Sequence, residues 1–156
     1  MFCPPVDFNL AHHLLDARIE EGDGQRTAIR TDQTSFSYAQ VQARANRLAA
    51  ALVEAGLAQE QRVILALPDG LDFVAGLFAI LKAGGVVVMV NPDLPGSDLE
   101  YFFEYSRAPL ALVHSSQQQA FASAAGAARL LATDCIEGGR FHQSQDPPRR
   151  PGSVDF

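Results

Sequence analysis

The chain has 156 residues, 47% of them hydrophobic and 19% charged, with a formal net charge of −6. That length gives one domain, burying about 68–70% of its unfolded surface, and the composition is globular rather than disordered. The negative balance argues against a nucleic-acid or anionic membrane surface, and Asp69, Asp72 and Lys82 break the most apolar part before it reaches the roughly 18 residues of a membrane span.

The first seven residues read as an extended lead-in with two prolines. Asn9 is placed to cap a helix from Leu10 to about Glu21, with Leu10, Ala11, Leu14, Leu15 and Ile19 on its buried face. His12 and His13 lie inside that helix. Adjacent helix positions point in different directions, so the expectation is one partly exposed and one packed imidazole, not a metal pair. Thr27 to Arg30 and Ser35 to Phe36 read as two short strands about an Asp32-Gln33 turn. Ser37 and Gln40 then form a capping box, with Phe36 and Val41 as the hydrophobic staple across it. Val41, Ala45, Leu48, Ala49 and Leu52 predict the buried stripe of a long helix ending at Gly56. Gln42, Arg44, Arg47 and Glu54 lie mostly off that stripe, and the arginines are assigned to a solvated face rather than an anion site.

Arg62 to Pro92 is the centre of the chain. Arg62 to Leu67 is a short apolar run of the kind found in buried parallel strands. Asp69 is expected to cap the next helix and Asp72 to add charge in its first turn. Phe73, Val74, Leu77, Phe78, Ile80 and Leu81 recur at helical spacing, and Gly84-Gly85 supplies the C-cap. Val86 to Val90 is a second strand, ended by Asn91-Pro92. Two short buried strands joined by one helix should lie parallel with a right-handed crossover.

Beyond it, Ser97 and Glu100 form a second capping box for a helix bearing Leu99, Phe102 and Phe103. Phe102-Phe103 belongs to the core. Leu110 to Val113 is a further buried strand. Ser116 and Gln119 cap a short alanine-rich helix that Gly126 ends, and Arg129 to Thr133 is another strand. From Glu137 the periodicity stops and a Pro/Gly-containing linker begins. The expectation is a domain over residues 1–136 and a linker over 137–156. The domain is α/β, with a mostly parallel sheet, helices on both faces and a small hairpin near the start.

The run LKAGGVVVMVNP resembles the early, non-catalytic core motif of adenylate-forming enzymes, the superfamily of acyl- and aryl-CoA ligases, luciferases and peptide-synthetase adenylation domains. FSYAQVQARANRLAAALVEAGL is similar to that family's opening, and the likeness runs from about Phe8 to about Ser116. Asn91-Pro92 looks more like the CoA-ligase branch than the peptide-synthetase branch, and FNLAHHLLDARIEE looks most like benzoate-CoA ligases. The resemblance implies the fold of the N-terminal subdomain of such an enzyme. It also implies a parent that activates a carboxylic acid with ATP and passes the acyl group to a thiol such as CoA, with an aromatic acid as the first expectation.

Chemistry for that reaction is scarce within the 156 residues. ATP needs a Gly-rich loop of backbone N–H groups or Lys and Arg side chains around its phosphates. Neither G-x-x-x-x-G-K-[ST] nor G-x-G-x-x-G occurs, and the single lysine, Lys82, sits at a helix C-terminus where the dipole favours a cation. In the family the phosphates are held by a Ser/Thr/Gly-rich loop ending in Pro-Lys. A later acidic motif helps with magnesium, a downstream Asp binds ribose, and a C-terminal Lys contacts the acyl-adenylate. None of these motifs is in this sequence, so no residue is assigned a catalytic, cofactor-binding or metal role. ATP, magnesium and CoA are expected of a longer parent. The last residues, Pro151-Gly152-Ser153-Val154-Asp155-Phe156, resemble the family's lead-in to the phosphate loop, which makes the chain an expected N-terminal fragment, inactive alone. Its expected partner is the remainder of the ligase or a completing subunit.

Other constellations are weaker. His114 before Ser115 and Ser116 suggests a base and nucleophile, but neighbours at a strand end rarely meet correctly and no orienting Asp is placed by sequence. His142 and Asp146 lie in the tail. Asp7, Asp69, Asp72 and Asp98 read as caps and first-turn charges. Cys3 and Cys135 make no metal pattern and read as reduced thiols. The N-terminus lacks the pattern of a signal peptide, so a cytoplasmic location is expected. An alternative is a stand-alone, non-catalytic interaction module derived from such a ligase, and a third is an unrelated small α/β binding domain. The first two predict an exposed apolar patch.

Overall fold

The computed structural model describes residues 8–138. Its centre is a four-stranded parallel sheet made of β3 (Arg62–Ala66), β4 (Val86–Met89), β5 (Leu110–Val113) and β6 (Arg129–Ala132), in the order β4-β3-β5-β6. Val63 stands opposite Val87 on one side and Leu110 on the other, and Leu65 opposite Met89 and Leu112. A separate hairpin pairs β1 (Thr27–Arg30) antiparallel with β2 (Ser35–Ser37).

The central strands are apolar on both sides because helices cover both faces. Val63, Leu65, Leu110 and Leu112 pack with α2 (Tyr38–Glu54) and α3 (Leu71–Lys82). Ile64, Ala66, Ala111 and Val113 pack on the other face with α4 (Gly96–Ser106) and α5 (Gln118–Ala124). The expected α/β layering is therefore present, with the hairpin where the sequence places it.

Local chemistry fixes the helix ends. Ser37 accepts the amide N–H of Gln40 while the Gln40 side chain accepts that of Ser37, so the capping box forms. At the end of α3, Gly84 takes φ +77°, and the amides of Gly84 and Gly85 donate to the carbonyls of Leu81 (3.1 Å) and Ile80 (2.9 Å), a Schellman closure. Gly76, inside α3, permits close approach to β3: a Cβ there would lie 2.7 Å from Leu65 Cδ1.

Three expectations change. The first helix opens with a π-turn, His12–Asp16, before α1 (Ala17–Glu20). The wider turn brings consecutive Leu15 and Asp16 inward and leaves Leu10 and Leu14 exposed. Neither Asp69 nor Ser97 caps its helix: α3 starts after Gly70 and α4 after Pro95, neither with a side-chain cap. The cap before α5 is His114, whose side chain accepts the Ser116 amide N–H, and a 3₁₀ turn (Ser115–Gln117) intervenes. The expected linker over 137–156 lies outside the described residues beyond Gly138, with His142 and Asp146, as do Cys3 and Asp7. Cys135 is a free, exposed thiol.

Candidate functional site at the carboxyl edge of the sheet

Strand order decides where a site can form. From β3 the chain crosses to β4 through α3 on one face, then returns past β3 to β5 through α4 on the other. The loops leaving β3 and β5 therefore lead to helices on opposite faces, which makes this the switch point of the sheet. Pro68, Asp69 and Gly70 follow β3; Asn91, Pro92 and Asp93 follow β4; His114 to Gln117 follow β5; Thr133 and Asp134 follow β6.

A cleft of about 410 Å³ lies at the ends of β3 and β4, lined among others by Asp69, Phe73, Met89, Asn91 and Asp93. Asn91 Oδ1 accepts the Asp93 amide N–H at 3.0 Å, so the Asn-Pro motif makes a turn. The Gln117 side-chain amide donates to Asp93 at 3.2 Å, joining the loops after β4 and β5.

The structure does bring a carboxylate to His114 and the two serines, from a part of the sequence 20 residues away. His114 Nδ1 lies 2.8 Å from Ser116 Oγ, and Asp134 accepts both the amide N–H (2.9 Å) and the hydroxyl of Ser115. This is not the relay of a serine hydrolase. The imidazole Nδ1 also takes the Ser116 amide N–H at 3.2 Å, the bond of a helix cap, and Nε2 stands 4.0 Å from Asp134, beyond hydrogen-bond length. Ser115, not Ser116, holds the carboxylate. Its two hydrogen bonds keep the Asp134 carboxyl below the usual range.

The two buried cations among the described residues both face carboxylates. Lys82 Nζ lies 2.9 Å from Asp16 Oδ1 and also donates to Asn46 Oδ1. Its structural role stands, supplied by Asp16 on the first helix as well as by the end of its own helix. Asp16 also receives the Gln42 side-chain amide at 2.8 Å. Arg44 corrects the sequence reading: it is 1% exposed, not solvated. Its Nε and one terminal nitrogen bind the Asp72 carboxylate at 2.7 and 2.9 Å, and that terminal nitrogen also donates to the Thr133 carbonyl at 2.9 Å. Burial pushes the Asp72 pKa up, but the Arg44 hydrogen bonds and charge outweigh it, and the net shift is downward. The spacing held the signal, because Val41, Arg44, Ala45 and Leu48 sit at i, i+3, i+4 and i+7.

His12 is half-buried and His13 exposed, so neither is the packed imidazole that the sequence leads one to expect. His12 stands 3.8 Å from Asp16 and 3.9 Å from Glu20. Among the described residues, no three His, Cys, Asp or Glu side chains gather as a metal site, and no helix is long and apolar enough to cross a membrane.

A sequence model described as AMP-binding enzyme matches residues 16–152. The chain belongs to the AMP-binding enzyme family. It is 30% identical over 153 residues to a benzoate–CoA ligase of Thauera aromatica, covering 97% of this chain and 29% of that protein. It is 32% identical over 152 residues to phosphinothricin tripeptide synthetase PhsC of Streptomyces viridochromogenes, covering 95% of this chain and 14% of that protein. Both CoA ligases and peptide synthetases are thus among its relatives. ATP-bound MatB of Rhodopseudomonas palustris superposes with a TM-score of 0.74 at 26% identity, over 89% of this chain and 30% of that one. A benzoate CoA ligase of Burkholderia xenovorans shares the fold at a TM-score of 0.73 and 24% identity, over 94% of this chain and 29% of that one. The chain spans less than a third of the length of each of these proteins.

Proposed function

We propose that this chain is the N-terminal part of an ATP-dependent ligase that forms an acyl-adenylate from a carboxylic acid and then a CoA thioester. The observation that carries the reading is the family match over residues 16–152, combined with a likeness to a benzoate–CoA ligase along 97% of the chain. Aryl acids are the proposed substrate class, supported by that relative and by a 4-hydroxybenzoate/benzoate–CoA ligase of Rhodopseudomonas palustris that is 31% identical over 112 residues. Magnesium, ATP and CoA belong to the proposed longer protein, as does a cytoplasmic location.

On this reading residues 1–156 supply scaffold and catalyse neither half-reaction alone. The sequence holds no Gly-rich phosphate loop, and its one lysine is 2% exposed and bound by Asp16 and Asn46, where no phosphate reaches it. The partner is the polypeptide that supplies the phosphate loop. The test is to read the coding sequence past Phe156, express the polypeptide it specifies, and assay AMP release with CoA and a panel of acids. Benzoate-dependent AMP release supports the reading. A polypeptide that activates amino acids and loads a carrier domain would replace it with the peptide-synthetase branch.

A further inference from the structure

The loops at the carboxyl edge are tied to one another through side chains, and the ties form one continuous path. It starts at Asp72, in the first turn of α3 just past the β3 loop. Arg44, in the middle of α2, binds that carboxylate with two nitrogens and reaches the Thr133 carbonyl, past the end of β6, with one of them. The next residue, Asp134, holds the Ser115 amide and hydroxyl after β5. Two residues on, Gln117 reaches Asp93 after β4. All four strand ends are joined, although Arg44 touches neither the β4 nor the β5 loop in these bonds.

We propose that Arg44 and Asp134 are positioning residues that hold the loop after β5 in register with the start of α3 at the switch point of the sheet. The guanidinium suits this task. Its planar fork meets a carboxylate and a carbonyl at once, which an ammonium cannot do with the same fixed geometry. Asp134 suits it too, because one carboxylate takes both hydrogen-bonding groups of Ser115. The significance for catalysis rests on the proposed ligase reading, but the coupling itself is a property of this chain.

A plain stabilising ion pair and a positioning pair differ in what they do at a distance. The experiment is native-state hydrogen exchange of the Ser115 amide in residues 1–156, comparing Arg44→Met with Lys82→Met. Lys82→Met breaks a second buried ion pair of the described residues, at the opposite end of α3 from Asp72, and is expected to leave local exchange at Ser115 unchanged. Arg44→Met is expected to raise it at least tenfold, without any direct contact having been removed. If Arg44→Met does not fold, Arg44→Lys serves in its place. Asp134→Asn, on an exposed side chain, is expected to raise Ser115 exchange by the same factor, and adding Arg44→Lys should raise it little further, since both cut one path. Equal Ser115 exchange in the Arg44 and Lys82 variants overturns the proposal, as does strict additivity with Asp134→Asn. Unchanged Ser115 exchange in a chain whose longer form is an active ligase would refute the positioning role alone. Tenfold faster exchange with no ligase activity would leave the coupling and remove the reading.

Discussion

Replacing Lys82 with Met tests how this fold uses buried charge. Lys82 and Asp16 are 2% and 1% exposed, with Nζ 2.9 Å from Oδ1. Removing the cation leaves a carboxylate inside the core, a change that costs about 3–5 kcal/mol in general. Here Asp16 keeps the Gln42 donor at 2.8 Å, which partly satisfies it and places the cost near the lower end, about 3 kcal/mol. For a domain of this size that corresponds to roughly 10 °C in Tm. The comparison is Arg18→Ala. Arg18 and Glu21 meet at 2.8 Å, but their side chains are 38% and 52% exposed, so the loss is expected to be about 0.5 kcal/mol. The two pairs have nearly the same length and differ in burial. Adding Asp16→Leu to Lys82→Met should recover most of the loss, leaving about 1 kcal/mol for the Gln42 amide that loses its carboxylate acceptor. Urea unfolding of the three variants beside the unaltered chain, with linear extrapolation, gives the values. A Lys82→Met loss no larger than that of Arg18→Ala would refute the reasoning.

Further expectations follow from the same structure. Gly76→Ala drives a Cβ to 2.7 Å from Leu65 Cδ1 and 3.4 Å from Leu112 Cδ1, and is expected to cost about 1–3 kcal/mol by urea unfolding. Ser37→Ala removes one half of the capping box and should cost about 1 kcal/mol in the same assay. The Asp72 pKa is lowered in the folded state, so its contribution is present above the unfolded value near 3.8 and is lost as pH falls through the folded value. Asp72→Asn should therefore flatten the acid side of a stability–pH profile below about pH 4, and an unchanged slope would contradict the Arg44 pairing. Val86 and Met89 are exposed on β4, the outer strand of the sheet, so residues 1–156 should self-associate, and Met89→Lys should reduce this in sedimentation equilibrium.

Much of the fold is legible in the sequence because each strand of the sheet is a short apolar run with its own breakers. Pro68-Asp69-Gly70 ends one, and Asn91-Pro92 the next. The register of helix starts is less legible. The pattern Ser97-x-x-Glu100 marks a helix N-terminus, but α4 begins with Gly96, and Ser97 falls inside the first turn. The first helix misleads for another reason. A π-turn shifts the periodicity by a residue, so Leu10 and Leu14 leave the buried face that Leu15 and Asp16 share. Arg44 is legible from spacing, while its residue type misleads: position 44 lies on the core stripe, and the Asp72 carboxylate and Thr133 carbonyl make a charge tenable there. The meeting of Asp134 with Ser115 depends on the parallel pairing of β5 with β6, which no local pattern announces.

We propose that residues 1–156 carry the scaffold of an adenylate-forming ligase and not its chemistry. The direct measurement is ATP–pyrophosphate exchange by the purified chain with saturating benzoate, run beside the longer polypeptide from the same gene. The account predicts exchange from the longer polypeptide and none above buffer from the chain alone. Exchange catalysed by residues 1–156, abolished by substitutions at the carboxyl edge, would contradict it.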